Sequence, residues 1–205
     1  MTTHPSIALI EQRVSANRFD TSHAMAPAEI EALVRLATRA PTAYNLQNWR
    51  FIAVHTAAAK ATLRSLAHGQ AKVAEAAVTF IVCGALPDPA ALPARLRPFV
   101  EAGHMPAGMA ESWQAGALAQ YANAQTARDE AVRSASLGAA TLIHAAGALD
   151  FASCPMVGFD AEGVAHAFGL ASNEIPVLLL PVGRAAPGNW PQKPRRPLSE
   201  VLQII

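Results

Sequence analysis

Residues 131 to 147 read AVRSASLGAATLIHAAG, a stretch in which small and apolar residues recur at helical spacing. One apolar stripe comprises Val132, Ala135, Ala139, Leu142, Ile143 and Ala146. Alanine, serine and glycine dominate the other faces, and such small side chains allow neighbouring elements to approach closely. No proline interrupts residues 109–149. The stretch therefore predicts a long central helix that is buried on nearly all sides.

Three further segments carry helix signals. In PAEIEALVRLATRA, residues 27–40, Pro27 suits a first helical position and apolar residues recur at helical spacing. Thr56 can cap a second helix that runs to Leu66 and stops at His68-Gly69. Asp160 can cap a third, shorter helix. We therefore expect a helix-rich chain.

Strands are predicted between these helices. In chain order they are RFIAV (50–54), VTFIVCGA (78–85), ASCPMVGF (152–159, a short strand or turn) and residues 176–182. The unbroken apolar run of VTFIVCGA is typical of a fully buried strand. We expect an α+β fold with three or four strands, arranged as a single domain over residues 1–205.

Two proline-rich segments predict irregular structure. Residues 87–106 contain five prolines, and we expect a long loop or excursion at about residues 86–108 that covers a site or reaches a partner. The tail, about residues 184–205, contains the basic group KPRR (193–196) and ends in the apolar LSEVLQII (198–205). We expect this tail to lie across a second subunit.

Composition limits the class of partner. Hydrophobic residues make up 52% of the chain and charged residues 15%, which favours a substantial buried subunit interface. With a net charge of +1, the chain has no strong electrostatic field that would attract nucleic acid or a membrane surface. We therefore expect a small-molecule partner. The chain has two cysteines without CxxC spacing and no cluster of histidines, so we expect neither a disulfide framework nor a metal site. No targeting segment or membrane span is evident, and we expect a cytoplasmic protein.

An anion site is indicated at the two ends of the chain. Arg13, Ser15 and Asn17 alternate, so in an extended segment they point the same way and offer a guanidinium, a hydroxyl and an amide. Lys193, Arg195 and Arg196 of the tail could bring further charge, because arginine suits the geometry of a phosphate. The alternative is that this short basic cluster is solvated surface.

The stretch RAPTAYNLQNWRF, residues 39–51, indicates a binding turn between a helix and a strand. Asn45 and Gln47 can present amide edges together, and Thr42 adds a hydroxyl. A flat heteroaromatic ring with alternating donors and acceptors is recognised by such edges. The alternative is that the amides only satisfy a polar turn and that Trp49 packs into the core.

Four motifs in this order resemble those of the nitroreductase family of flavin mononucleotide (FMN) oxidoreductases. The first is matched by Arg13, Ser15, Phe19 and Asp20. The second is matched by Ala40, Pro41, Thr42, Asn45, Gln47 and Trp49. The third is matched by Pro155, Gly158, Phe159 and Asp160, and the last by Lys193 and Arg195. The resemblance runs over most of the chain and implies a small central mixed or antiparallel sheet.

The family resemblance also implies a homodimer with two flavins at the subunit interface, a central helix that pairs across it, and a tail that embraces the partner. The residues implied for the FMN phosphate are Arg13, Ser15, Lys193 and Arg195, with Val14 and Asn17 from the same first motif. Those implied near the ring from one side of the interface are Pro41, Thr42, Ala43 and Asn45. Those implied near the ribityl chain and the ring are Gln70, Lys72, Pro155, Met156, Val157 and Gly158.

The chain departs from the family pattern at four positions. Asn17 stands where a lysine or arginine is usual, so one positive charge near the flavin is missing. Asn48 replaces a common proline, and Val157 stands where some members have a glutamate close to the flavin. Asp150 takes a position that glycine often fills in the turn after the central helix. These departures bear on the substrate and the turnover rate more than on the flavin.

The resemblance implies an FMN-dependent enzyme that takes hydride from NAD(P)H and passes electrons to an electrophilic acceptor, such as a nitroaromatic or a quinone, by a ping-pong mechanism. The flavin N5 atom carries the chemistry, so we expect no catalytic side chain. Three alternatives stand beside this function. One is a specialised branch of the family (a dehydrogenase, a dehalogenase or a flavin-fragmenting enzyme), another a flavin-binding carrier or sensor without efficient turnover, and the last a helical dimer without a ligand.

Overall fold

A computed structural model of the chain describes residues 4–205, and residues 1–3 of the expected domain lie outside the described residues. The helices are α1 (Pro5–Gln12), α2 (Pro27–Ala37), α3 (Ala57–Leu66), α4 (Ala71–Glu75), α5 (Leu92–Glu101), α6 (Ala107–Gln120), α7 (Ala124–Ala148), α8 (Ala161–Ala167) and α9 (Leu198–Val201). The strands are β1 (Trp49–Val54), β2 (Val78–Ala85), β3 (Ala152–Ser153) and β4 (Glu174–Gly183). Short 3₁₀ turns lie at Ala43–Asn45 and Pro89–Ala91. The expected helix-rich α+β fold is confirmed.

The strands form one antiparallel sheet in the order β1-β2-β4-β3, so β1 and β3 are its edges. Side chains of β2 alternate between two cores because successive residues of a strand point to opposite faces. Phe80 and Val82 pack with residues of α2 and α7, whereas Ile81 and Cys83 pack with residues of α3 and α8. Burial of both faces explains why β2 reads as an unbroken apolar run.

Helix α7 packs so closely against this sheet that the backbones of the two elements meet at Gly84. A Cβ atom on Gly84 of β2 would lie 2.3 Å from the carbonyl oxygen of Ala131 in α7. Farther along α7, a Cβ on Gly138 would lie 3.0 Å from Phe51 and 3.4 Å from Trp49, both on β1. Trp49 is thus half-buried against the central helix. Small residues on α7 are what allow the helix to lie this close to the sheet.

Helices α3 and α8 begin at the capping residues that the sequence predicted. The Thr56 hydroxyl accepts a hydrogen bond from the Ala59 amide at 3.3 Å, and the Asp160 carboxylate accepts one from the Gly163 amide at 3.0 Å. Each satisfies one of the amides that a helix leaves unpaired in its first turn. The caps predicted at Thr56 and Asp160 are confirmed.

The prediction of irregular structure in the proline-rich segment was wrong, because α5 occupies Leu92–Glu101. Pro93 lies in the first turn, where a missing amide proton costs nothing, and only Pro98 interrupts the helix interior. Leu92 and Leu96 are buried one turn apart. Apolar burial on that stripe therefore outweighs the single hydrogen bond that Pro98 removes.

The central helix, α7, is more exposed than the sequence predicted. The proline-free region is divided between α6 and α7, and the Asn123 side chain caps α7 by accepting from the Thr126 amide at 3.0 Å. Burial on nearly all sides is not found in the single chain, since Leu137 is 40% exposed on the outer face. Within residues 4–205, no helix combines the length and apolarity that a membrane span requires.

Substitution Gly84→Ala should destabilise the fold strongly. The new Cβ would meet backbone atoms of Ala131 rather than a flexible side chain, so the contact cannot be relieved by a rotamer change. Overpacking of this kind costs about 3 kcal/mol, which lowers the Tm of a chain of this size by roughly 6–12 °C. Thermal unfolding followed by circular dichroism measures the shift.

The matched control is Gly108→Ala in α6. Nothing lies within 4 Å of the Cβ added there, and alanine has the higher helix propensity. This variant should unfold at or slightly above the wild-type temperature. Equal Tm values for Gly84→Ala and the wild type would contradict the close packing of β2 on α7.

Both cysteines should be unreactive in the folded protein. Cys83 is 0% exposed and Cys154 is 3% exposed. Burial, with a contribution from the Glu174 carboxylate, raises the pKa of the Cys83 thiol to about 12, so little of the reactive thiolate forms at neutral pH. A chromogenic disulfide reagent should titrate two thiols in guanidinium and almost none under native conditions. Fast reaction of either thiol in the folded state would contradict this burial.

Candidate functional site

The segment after α1 lies along the β3 edge of the sheet. Ser15 pairs with Ser153 in a parallel bridge, and the Ala16 amide donates to the Ser153 carbonyl at 3.0 Å. Ala16 and Phe19 are buried, which fixes the segment from both ends. The extended conformation that the alternation of Arg13 and Ser15 required is therefore present.

Arg13 and Ser15 meet the tail in a small pocket. Its volume is about 130 Å³, and its lining residues are Arg13, Val14, Ser15, Trp190, Pro191, Gln192, Lys193 and Arg195. An Arg13 guanidinium nitrogen donates to the Ser15 hydroxyl at 3.5 Å, and the Lys193 ammonium lies 5.8 Å from the centre of the Trp190 ring. Three cationic side chains line this anion pocket, and no carboxylate of residues 4–205 does. A donor set of this kind fits the phosphate of FMN.

Asn17 and Lys72 contact each other beside the anion pocket. The Lys72 ammonium donates to the Asn17 side-chain oxygen at 3.4 Å, and the Asn17 amide donates to the Asn189 side chain at 2.7 Å. The departure from a cation at position 17 thus places a hydrogen-bond acceptor next to Lys72. This hydrogen bond gives the lysine side chain a defined position.

Gln70 contacts the segment of residues 155–158. Its side-chain amide donates to the Gly158 carbonyl at 2.9 Å. Within that segment Met156 is buried and pairs with Leu179 of β4, whereas Val157 is 76% exposed. Pro155 is half-buried and Gly158 is exposed. Residues 155–158, called the strap below, therefore present their backbone and the Val157 side chain to solvent.

The turn of residues 41–47 lines a different pocket, at the opposite edge of the sheet. That pocket has a volume of about 520 Å³ and is lined by Arg35, Thr38, Arg39, Ala40, Pro41, Asn45 and Gln47. The Gln47 backbone amide donates to the Thr42 hydroxyl at 3.0 Å, and its side-chain amide donates to the Asn45 side-chain oxygen at 3.1 Å. Gln47 therefore fixes the two side chains that were expected to face a ring.

The structure thus groups the expected residues into separate sets. Arg13, Val14, Ser15, Lys193 and Arg195 share one pocket, with Asn17 and Lys72 paired beside it. Gln70 is bonded to the strap that carries Pro155, Met156, Val157 and Gly158. Pro41 and Asn45 line the other pocket, together with the turn that carries Thr42 and Ala43. A single chain does not bring the turn and the anion pocket together.

Asn189 is a site residue that the sequence analysis missed. Its side-chain oxygen accepts from the backbone amides of Asn17 and Arg18, and its side-chain nitrogen donates to the carbonyls of Arg18 and Ala186. These bonds fasten the N-terminal segment to the start of the tail. The available signal was PGNW at 187–190, a turn sequence immediately before the basic group.

Comparisons with known proteins identify the family of the chain. The model of the Nitroreductase family matches residues 10–184. An NADH dehydrogenase of Thermus thermophilus is 33% identical over 174 residues, which cover 84% of this chain and 83% of that protein. YodC of Bacillus subtilis, named provisionally as an NAD(P)H nitroreductase, is 29% identical over 197 residues, 96% of each chain.

A solved structure extends the similarity to three dimensions. A protein of Exiguobacterium sibiricum, described provisionally as a nitroreductase in complex with FMN, superposes with a TM-score of 0.89 at 26% identity. The match covers 100% of this chain and 99% of that one. The family model, the sequence relatives and this fold agree over nearly the whole length, and the chain therefore belongs to the nitroreductase family.

Proposed function

We propose that this protein is an FMN-dependent oxidoreductase that takes hydride from NAD(P)H and reduces a small electrophilic acceptor, such as a nitroaromatic or a quinone, by a ping-pong mechanism. The observation that carries the proposal is the anion pocket, in which Arg13, Lys193 and Arg195 converge. The relatives named above, with their FMN and NAD(P)H, support the same cofactors.

When bound, FMN supplies the two-electron chemistry, accepting hydride and passing the electrons on. The task of the chain is to hold and orient it. Arg13 and Arg195 offer planar donor sets to the phosphate, Lys193 adds a point charge, and the Ser15 hydroxyl donates from the edge of the sheet. Val14 closes the pocket beside them.

Lys72 and Gln70 would lie between the phosphate and the ring of a bound FMN. Lys72, held by Asn17, provides a positive charge that favours the electron-rich form of the ring. Gln70, bonded to Gly158, fixes the strap of residues 155–158, which we place along one side of the ring. Both side chains act by position and charge.

No side chain is proposed as a nucleophile or as a general acid or base. Val157, where some family members have a glutamate, is exposed and cannot exchange protons. The proton that accompanies reduction of the acceptor comes from water.

The protein is proposed to act as a cytoplasmic homodimer of single-domain subunits. A second subunit would bring its turn of residues 41–47 to the anion pocket and supply Pro41, Thr42, Ala43 and Asn45 to the ring. Apolar surface supports this assembly: Leu137 on α7 and Leu198, Val201, Leu202 and Ile204 of the tail are exposed in the single chain.

The test of the proposed function is a visible spectrum of the purified protein, recorded before and after anaerobic addition of NADH and then NADPH. The expected result is a flavin spectrum that bleaches rapidly with at least one donor. A bound flavin that neither donor reduces would favour the carrier or sensor, for which the missing charge at Asn17 speaks, or a specialised branch of the family. Absence of flavin, even after reconstitution with FMN, would overturn the proposal.

Arg13→Ala and Arg195→Ala should each weaken FMN binding by about tenfold. Each removes a charge-assisted hydrogen-bond donor from a partly solvated phosphate site. Fluorescence titration of the apoprotein with FMN measures the dissociation constants.

Arg196→Ala is the matched control. Arg196 is adjacent in sequence, but it pairs with Glu200 at 2.9 Å and does not line the pocket. Its FMN affinity should equal that of the wild type. If all three variants bind FMN equally well, the phosphate lies elsewhere.

A further inference from the structure

The turn of residues 41–47 has an unfavourable backbone conformation. Tyr44, Asn45 and Gln47 have φ angles of 51°, 55° and 47°. L-residues seldom adopt this left-handed region, because the Cβ atom crowds the following carbonyl. A turn with three such residues in four positions keeps its shape only if its surroundings hold it.

Local hydrogen bonds hold the turn only in part. The Asn45 amide donates to the Thr42 carbonyl at 3.2 Å, and the Leu46 amide donates to the Ala43 carbonyl at 2.9 Å. These bonds connect the turn to itself, as do those made by Gln47. They do not fix it relative to the remainder of the chain.

Arg95 of α5 makes a polar connection from outside the turn. One guanidinium nitrogen of Arg95 donates to the backbone carbonyl of Leu46. The Leu46 side chain is 1% exposed and packs with Leu92 of α5 and Ala117 of α6. The same residue is thus held through its side chain and through its carbonyl.

Tyr44 makes a second connection, to α6. Its hydroxyl donates to the Gln120 side-chain oxygen at 2.9 Å. Its ring meets Trp113 and Tyr121 edge-on, with centroid distances of 6.0 Å and 6.3 Å. Gly116 leaves room for it, since a Cβ there would lie 3.4 Å from the Tyr44 hydroxyl. The left-handed conformation of Tyr44 directs its ring into this site.

We propose that Arg95 and Tyr44 are positioning residues, which bind the turn of residues 41–47 to α5 and α6 and so hold Thr42 and Asn45 in the geometry that FMN binding requires. The proposal rests on the proposed function for its final step, the contact with FMN. Its first step, the fixing of the turn, concerns this chain alone. Helices α5 and α6 are then the support of the turn.

Hydrogen exchange of the full-length apoprotein tests the first step without any flavin. Arg95→Met should accelerate exchange of the backbone amides of Asn45, Leu46 and Gln47 by about tenfold, since it removes a charged donor from the Leu46 carbonyl. Arg95→Lys keeps one donor and should restore much of the protection. Tyr44→Phe keeps the ring and should give a smaller acceleration than Arg95→Met.

The matched control is Arg97→Met on the same helix. Within residues 4–205, the Arg97 side chain forms no hydrogen bond or ion pair with the protein. Exchange at the turn should be unchanged in this variant. Amides of β2 serve as an internal reference in every variant and should exchange at wild-type rates, which separates local loosening of the turn from global unfolding.

The second step is tested by FMN titration of the same proteins. Arg95→Met should raise the dissociation constant about tenfold, and Arg95→Lys should bring it back toward the wild-type value. Unchanged exchange at the turn in Arg95→Met would overturn the proposal at its first step. Faster exchange with unchanged FMN affinity would overturn its second step. If the wild type binds no FMN, the proposed function fails, and the exchange rates alone decide whether Arg95 holds the turn.

Discussion

The close approach of α7 to β2 at Gly84 and Ala131 is the constraint on which the other packing depends. With a Cβ at position 84 only 2.3 Å from a helix carbonyl, the helix could not lie this near the sheet. At this separation, Gly138 receives the aromatic rings of Trp49 and Phe51. The two glycines thus set the distance from α7 to β2 and to β1. Because the turn of residues 41–47 lies directly before β1, the position of this strand also determines where the turn ends.

The sheet order gives a physical reason for a second subunit. The turn precedes β1 at one edge, whereas Ser15 pairs with β3 at the other. Three strand spacings separate these edges, which is roughly 14 Å before any side chain is added. The turn and the anion pocket therefore lie near opposite edges of the sheet in one chain. In the proposed homodimer, a two-fold related copy would supply the turn from outside.

Periodicity and caps predicted the parts of the fold that local chemistry determines. The alternation on β2, the cap at Thr56 and the cap at Asp160 depend on residues within a few positions of each other. Helix α5 could not be predicted in this way, because its stability comes from the burial of Leu92 and Leu96 against distant residues. The left-handed Tyr44 escaped prediction for the same reason, since its ring is held by α6.

The candidate site, too, could be predicted from the sequence only in part. Arg13, Ser15, Lys193 and Arg195 have the chemistry of an anion site, and the structure brings them into one pocket. The sequence around Asn189 and Arg95 does not indicate their roles, because each side chain bonds to backbone groups far away in the chain. The burial of Glu130, which is 2% exposed, was not predicted either, although its bonds to Arg133 and Ser134 join residues three and four positions apart on one helix.

Asn17 shows how one departure from a family pattern can be offset nearby. A lysine or arginine at this position would place a fourth cation next to the three of the anion pocket and directly beside Lys72. Like charges at such distances repel, and part of the attraction for a phosphate is lost in holding them together. The amide instead accepts from Lys72 while its backbone is fixed by Asn189. The proposed site thus gives up one charge and gains a lysine with a defined position, and under our proposal this position lets the charge act on the flavin ring.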